Sequence, residues 1–139
     1  MKRRVRDVMT RDVVMVSVDS TLVAAARQMR EHDIGDVFVL EDGRLFGVLT
    51  DRDIVVRAVA RGLSPDVVTA GDICSRKLVT VSADDGEWYA VELMRLHTVR
   101  RLPVLDRERP VGVLSLGDLA IDLDRDSALA TISAAPPNT

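Results

Sequence analysis

Gly47-Val48-Leu49-Thr50-Asp51-Arg52-Asp53 and Gly112-Val113-Leu114-Ser115-Leu116-Gly117-Asp118 are the two stretches that decide how this chain folds. Each runs glycine, two apolar residues, a hydroxyl residue, two spacers and an aspartate. An apolar run that ends on Thr or Ser, with an acid three residues later, reads as a strand entering a helix. The hydroxyl can accept an amide of the first turn, and the acid can reach back to the cap amide. The two stretches lie 65 residues apart. Aligned at that offset, residues 5–57 match 70–122 without a gap, and 17 of the 53 pairs are identical. Chance pairing in such a composition gives only about a tenth, so the chain contains a duplicated unit.

Working outward from the motif, each unit has the order β-α-β-β-α. Val14 to Val18 and Val79-Thr80-Val81-Ser82 alternate as short strands. A helix follows, started by Asp19-Ser20-Thr21 or Asp84-Asp85, with Leu22, Ala25, Ala26 and Met29 or Ala90, Val91 and Met94 on its apolar face. Next come strands Val37 to Leu40 and Leu45 to Leu49, joined through Asp42-Gly43, a hairpin signal. Their counterparts, Leu102 to Leu105 and Val111 to Leu114, are joined by Asp106 to Pro110, read as a looser turn without glycine. A closing helix begins at Thr50 or Ser115 and is expected to carry Ile54, Val55, Ala58 and Val59, or Leu119, Ala120 and Leu123, inward. The fold class is α/β (α+β): two pseudo-symmetric repeats, residues 5–62 and 70–124, expected to pack as one body. A connector covers 63–69, and a Ser-, Ala- and Pro-rich tail, 125–139, is expected to be disordered.

Composition narrows the function. The chain has 139 residues, 47% hydrophobic and 3% aromatic, with 19 Lys and Arg against 22 Asp and Glu. That is one domain's worth of material with balanced charge, which argues against a long multidomain enzyme and against a nucleic-acid partner. Cys74 is the sole cysteine, so an intrachain disulfide and a four-thiolate zinc site are excluded, and it reads as a small buried apolar residue. No stretch approaches the roughly 18 apolar residues of a membrane span. Met1-Lys2-Arg3-Arg4 leads into no apolar signal region, so a soluble, cytoplasmic protein without a membrane partner is expected. The basic cluster of Lys2, Arg3, Arg4 and Arg6 reads as a solvated terminus.

Phosphate-loop, paired-cysteine, H-E-x-x-H and nucleophile-elbow signatures are absent. His32 and His97 occupy equivalent helix ends, where interaction with the dipole is the better reading than a symmetric metal site, and no metal is expected. The twin motifs carry two readings. Thr50 with Asp53, and Ser115 with Asp118, are helix caps; the same groups can also receive a ligand, the hydroxyl and free amides taking phosphate and the carboxylate a ribose diol. Gly47 and Gly112 allow either a close backbone approach or a simple bend. An enzymatic reading of Asp51, Asp53 and Asp118 lacks a nucleophile–base pair.

The duplicated unit with its two G-h-h-[ST]-x-x-D segments resembles a tandem CBS-domain protein, a Bateman module. Met29 to Gly35 and Leu49 to Val55 especially resemble stand-alone bacterial CBS pairs of the hypoxic-response type. The resemblance spans about residues 5–123. It implies a non-catalytic regulatory module that senses adenosine-containing ligands (AMP, ADP, ATP, S-adenosylmethionine or NAD) in a cleft between the repeats and signals to a protein partner. The alternative is a ligand-free structural or interaction module. No cofactor is required, and a homodimer is implied. Carried over by position, the ligand residues are Asp118, Ser115 and Gly112 with Thr80 from the preceding strand, and Asp53 with Thr50. Val99-Arg100-Arg101-Leu102-Pro103-Val104 resembles the family's basic residue before the central strand, so Arg100 and Arg101 face phosphate. Repeat one has Asp36 and Phe38 there, and a carboxylate repels phosphate by about 1 to 4 kcal/mol at 4 Å, so the second motif is favoured.

Overall fold

The structure, a computed structural model, describes residues 3–123. After a short helix α1 (Val5–Val8), strand β1 (Met15–Ser17) buries only its central Val16. Helix α2 (Leu22–His32) starts where Thr21 accepts the Ala24 N–H at 3.1 Å, and Leu22, Ala25 and Met29 form its buried face. Ala26 is exposed, contrary to expectation. Strand β2 (Asp36–Glu41) lies parallel to β1, with α2 as the crossover, and antiparallel to β3 (Arg44–Thr50). A helical run closes the repeat: α3 (Asp51–Asp53), a π turn (Ile54–Ala58) and a 3-10 turn (Val59–Arg61).

The second repeat has the same plan: α4 (Ala70–Ile73), β4 (Val81–Ser82), α5 (Glu87–His97), β5 (Arg101–Asp106), β6 (Arg109–Ser115) and α6 (Leu116–Leu123). The chain therefore has the expected mixed class, with three-stranded sheets β1-β2-β3 and β4-β5-β6. Even the irregularities repeat, since the pairing slips between Val39 and Leu40 and between Val104 and Leu105. Leu22, Val37, Val39 and Leu49 centre one core; Leu102, Val104 and Leu114 centre the other. Burying each such leucine contributes about 2 kcal/mol.

The compact units cut across the repeats. One is Val13–Leu78; among the described residues the other joins the segment up to Asp12 to the chain from Val79 onward. The segment that leads into repeat one docks on the second sheet: the Val5 N–H donates to the Asp85 carbonyl at 2.9 Å, Arg6 N–H to Ala83 at 3.0 Å, and Thr10 exchanges a pair of bonds with Val113. Sixty-five residues on, Ala70, Gly71 and Ser75 make the equivalent bonds to Ser20, Val18 and Val48 of the first unit. Leu63 and Val68, in the expected connector, pack against that first core.

Two local expectations need correction. Asp106 pairs with Arg109, so Arg107 and Glu108 alone form a tight turn, at φ 52° and 71°, as Asp42 and Gly43 do at 53° and 79°. A two-residue turn of this hand matches strand twist, so the strands impose it on residues carrying Cβ atoms. The cost is roughly 1–2 kcal/mol per residue. Val55 and Val59 are not inward: both are 57% exposed, and Leu123 is 43% exposed. In the π turn the Val59 N–H reaches back to the Ile54 carbonyl, so Ile54 and Ala58 take the inner face and their C-terminal neighbours turn outward. The tail expected to be disordered, 125–139, lies outside the described residues.

Candidate functional site

Gly112 is in β6 where the chain's own N-terminal segment crosses. A Cβ there would sit 2.8 Å from the Thr10 carbonyl oxygen and 2.7 Å from Met9 Sδ. At Gly47 it would sit 2.6 Å from the Ser75 carbonyl oxygen and 2.7 Å from Cys74 Sγ. Of the two readings of these glycines, close backbone approach is the one the structure contains, and the approaching backbone is protein. Each contact lets a lead segment reach its sheet beside the helix-start motif.

At the end of β6, Ser115 and Asp118 form a reciprocal cap. The Asp118 N–H donates to Ser115 Oγ, and the Ser115 N–H donates to Asp118 Oδ2, both at 3.0 Å. Thr50 and Asp53 do the same at 3.0 Å each. The second carboxylate oxygens differ. Thr10 donates its hydroxyl to Asp118 Oδ1 at 3.1 Å, whereas Asp53 Oδ1 faces Arg57 Nε at 3.7 Å. Arg57 also donates to the Ile73 carbonyl at 3.1 Å. Asp118 Oδ1 is thus held by one neutral donor that a ligand diol can replace, while Asp53 is held by a cation.

Sheet register brings the charged residues to the motifs. Arg101 is the cross-strand partner of Ser115, and at the equivalent place Asp36 is the partner of Thr50. Register thus sets a basic residue opposite one motif and an acidic residue opposite the other. Arg100 is exposed, its carbonyl accepting the Leu116 N–H at 2.8 Å, and it edges an apolar groove of about 440 Å³ lined by Val91, Met94, Leu116 and Leu119. Thr80 is half-buried just before β4, which pairs with β5 on the side away from β6. A smaller space of about 180 Å³ lies beside Asp118, lined by Arg3, Asp7, Val8, Ile121 and Asp122.

Thr10 was not among the sequence candidates, yet the preserved hydroxyl pair Thr10 and Ser75, flanked by the identities Asp7/Asp72 and Arg11/Arg76, was its signal. Cys74 is buried, and burial pushes its thiol up from the ordinary value, which suits a packing residue. His32 and His97 are both exposed at helix ends. Among the described residues no three His, Cys, Asp or Glu side chains gather to hold a metal, and no helix is long and apolar enough to cross a membrane.

The family model described as CBS domain matches residues 5–59 and 70–124. Hypoxic response protein 1 of Mycobacterium tuberculosis is 39% identical over 130 residues, covering 93% of this chain and 91% of that protein. The crystal structure of Hypoxic Response Protein I with two coordinated zinc ions superimposes with a TM-score of 0.77 at 40% identity, covering 86% of this chain and 98% of that one. The CBS domain pair of MJ0100, in complex with 5′-methylthioadenosine and S-adenosyl-L-methionine, gives a TM-score of 0.75 at 21% identity, covering 91% and 100%, and so shares the fold.

Proposed function

Because the chain belongs to the CBS-domain family and carries the domain twice, we propose that it is a cytoplasmic, non-catalytic regulatory module that binds an adenosine-containing ligand at its second motif and signals to a protein partner. The observation that carries this reading is the register pair of Arg101 with Ser115, one turn of helix from Asp118. The guanidinium suits phosphate or a ligand carboxylate, and Asp118 suits ribose hydroxyls once Thr10 yields its place. Asp36 makes the first motif the poorer phosphate site. The adenosine ligands of MJ0100 belong to that protein, and they support the reading by showing what a pair of this fold can hold. The two coordinated zinc ions are a property of Hypoxic Response Protein I and form no part of this reading.

Titration calorimetry with AMP, ATP, NAD and S-adenosylmethionine tests this. At least one is expected to bind below millimolar concentration. Asp118→Ala is expected to weaken it about tenfold to a hundredfold, the worth of charged hydrogen bonds, while Asp53→Ala has less effect. Circular dichroism checks folding, because the lost cap alone costs about 1 kcal/mol. Binding of none of the four by folded, ligand-stripped protein overturns the reading. That result leaves the interaction module, which the use of one carboxylate oxygen of each aspartate in its own cap favours.

The regulatory reading includes a homodimer. Trp88 and Leu96 on α5 are 65% and 75% exposed, and Val55 and Val59 are 57% exposed, apolar surface that a second copy can cover. Sedimentation at tens of micromolar is expected to give a dimer, and a monomer there removes this part of the proposal.

A further inference from the structure

Three equivalent positions differ together between the two units. In the first, Leu22 is fully buried at the start of α2, Val68 packs on the core beside it, and Arg57 reaches the Ile73 carbonyl. In the second, the same positions hold Glu87, Arg3 and Asp122. Glu87 is only 4% exposed, and its Oε2 has no hydrogen-bond partner. Arg3 Nη2 pairs with Asp122 Oδ1 at 3.1 Å, and the Glu87 N–H donates to the Arg3 carbonyl at 3.0 Å. A cluster of two carboxyls and one guanidinium thus stands where the other unit has two apolar residues and an arginine turned to a backbone carbonyl.

We propose that Glu87 is a proton-binding site whose occupancy decides how firmly the segment Arg3–Thr10 stays docked on the second sheet. Protonated, Glu87 donates to Asp122, Asp122 stays paired with Arg3, and the cluster is neutral. Deprotonated, two carboxylates share one guanidinium, and the Glu87 carboxylate is nearly closed to water, where an unpaired charge is costly. The groups that act on Glu87 are Asp122 from α6 and Arg3 from the segment itself; burial and the Asp122 carboxyl push its titration up to about 7, against a smaller opposing effect of Arg3. The piece that can yield is the segment, because Arg3 is half exposed and the segment is tied on through a few backbone bonds, Val5, and the surface pairing of Arg6 with Asp84. If the ligand reading above holds, the proton also tunes that site, since Thr10 at the end of the segment donates to Asp118; this last link rests on that reading, and the docking switch does not.

The duplicated fold supplies an internal control. Val5, Arg6 and Thr10 amides are bonded as their counterparts Ala70, Gly71 and Ser75 are, but the second set docks over Leu22. Amide hydrogen exchange of the full chain without ligand, at pH 5.5 and 8.0 and corrected for intrinsic rates, compares the two sets. Protection of the first set relative to the second is expected to fall by about tenfold or more on going to pH 8.0, the ratio that corresponds to a shift of one pH unit in titration. In Glu87→Gln, or in Glu87→Leu if that protein does not fold, the ratio is expected to be independent of pH. An unchanged ratio in the wild type, or the wild-type pH dependence in either variant, overturns the proposal. Failure of nucleotide binding in calorimetry leaves this outcome untouched, so the two readings fail separately.

Discussion

Substituting Gly47 by alanine is expected to destabilise the protein by about 3 kcal/mol or more, near the upper end for overpacking. The added methyl meets the Ser75 carbonyl oxygen at 2.6 Å and Cys74 Sγ at 2.7 Å. Neither can give way cheaply. Ser75 is tied to Val48 by bonds of 2.9 and 3.0 Å in both directions, and Cys74 is buried in the core. Gly112→Ala is expected to cost somewhat less, because one of its obstacles is the flexible Met9 side chain, although the Thr10 carbonyl remains at 2.8 Å. Gly62, at φ 71° with open space around it, is a useful contrast: there alanine meets no atom, and only the left-handed backbone costs, about 1 kcal/mol. Urea unfolding measures all three, and a Gly47→Ala protein as stable as wild type would show that the Ser75 segment does not close on β3 as described.

Glu87→Leu is expected to raise stability at pH 8 by about 1–4 kcal/mol, the range found when buried ionic groups give way to apolar ones, and to change it far less at pH 5. The direction follows from proton linkage. Burial, then Asp122, raise the folded-state titration of Glu87 from 4.5 to about 7. As pH climbs through that interval the unfolded chain releases its proton while the folded chain keeps it, so stability falls from about pH 4.5 to 7 and then levels off. Leucine removes the titrating group, keeps the Arg3–Asp122 pair and copies Leu22, which is fully buried at the equivalent place. Urea midpoints at pH 5 and 8 decide it. A variant that loses stability with pH as steeply as wild type would refute the assignment.

Much of the molecule is legible in the residues. The 65-residue offset and the periods within it specify β-α-β-β-α twice, because strand alternation and helix spacing are local properties written in neighbouring side chains. The Thr50–Asp53 and Ser115–Asp118 caps are likewise local, each formed over three residues. Where the expectations failed, backbone geometry overrode the side-chain pattern. Strand twist tightened the Arg107–Glu108 turn without glycine, and the π turn moved Val55 and Val59 outward.

The sequence alone determined the duplication, the element order, the mixed fold class and the two helix-start motifs. Only the tertiary structure decided that each lead segment completes the other repeat's unit, that Thr10 rests on Asp118 across 108 residues of chain, and that Glu87 lies buried beside Asp122 and Arg3. Such pairings have no local period. They arise because each sheet has to cover its remaining apolar surface and satisfy its exposed strand amides with whichever segment the chain's path brings there.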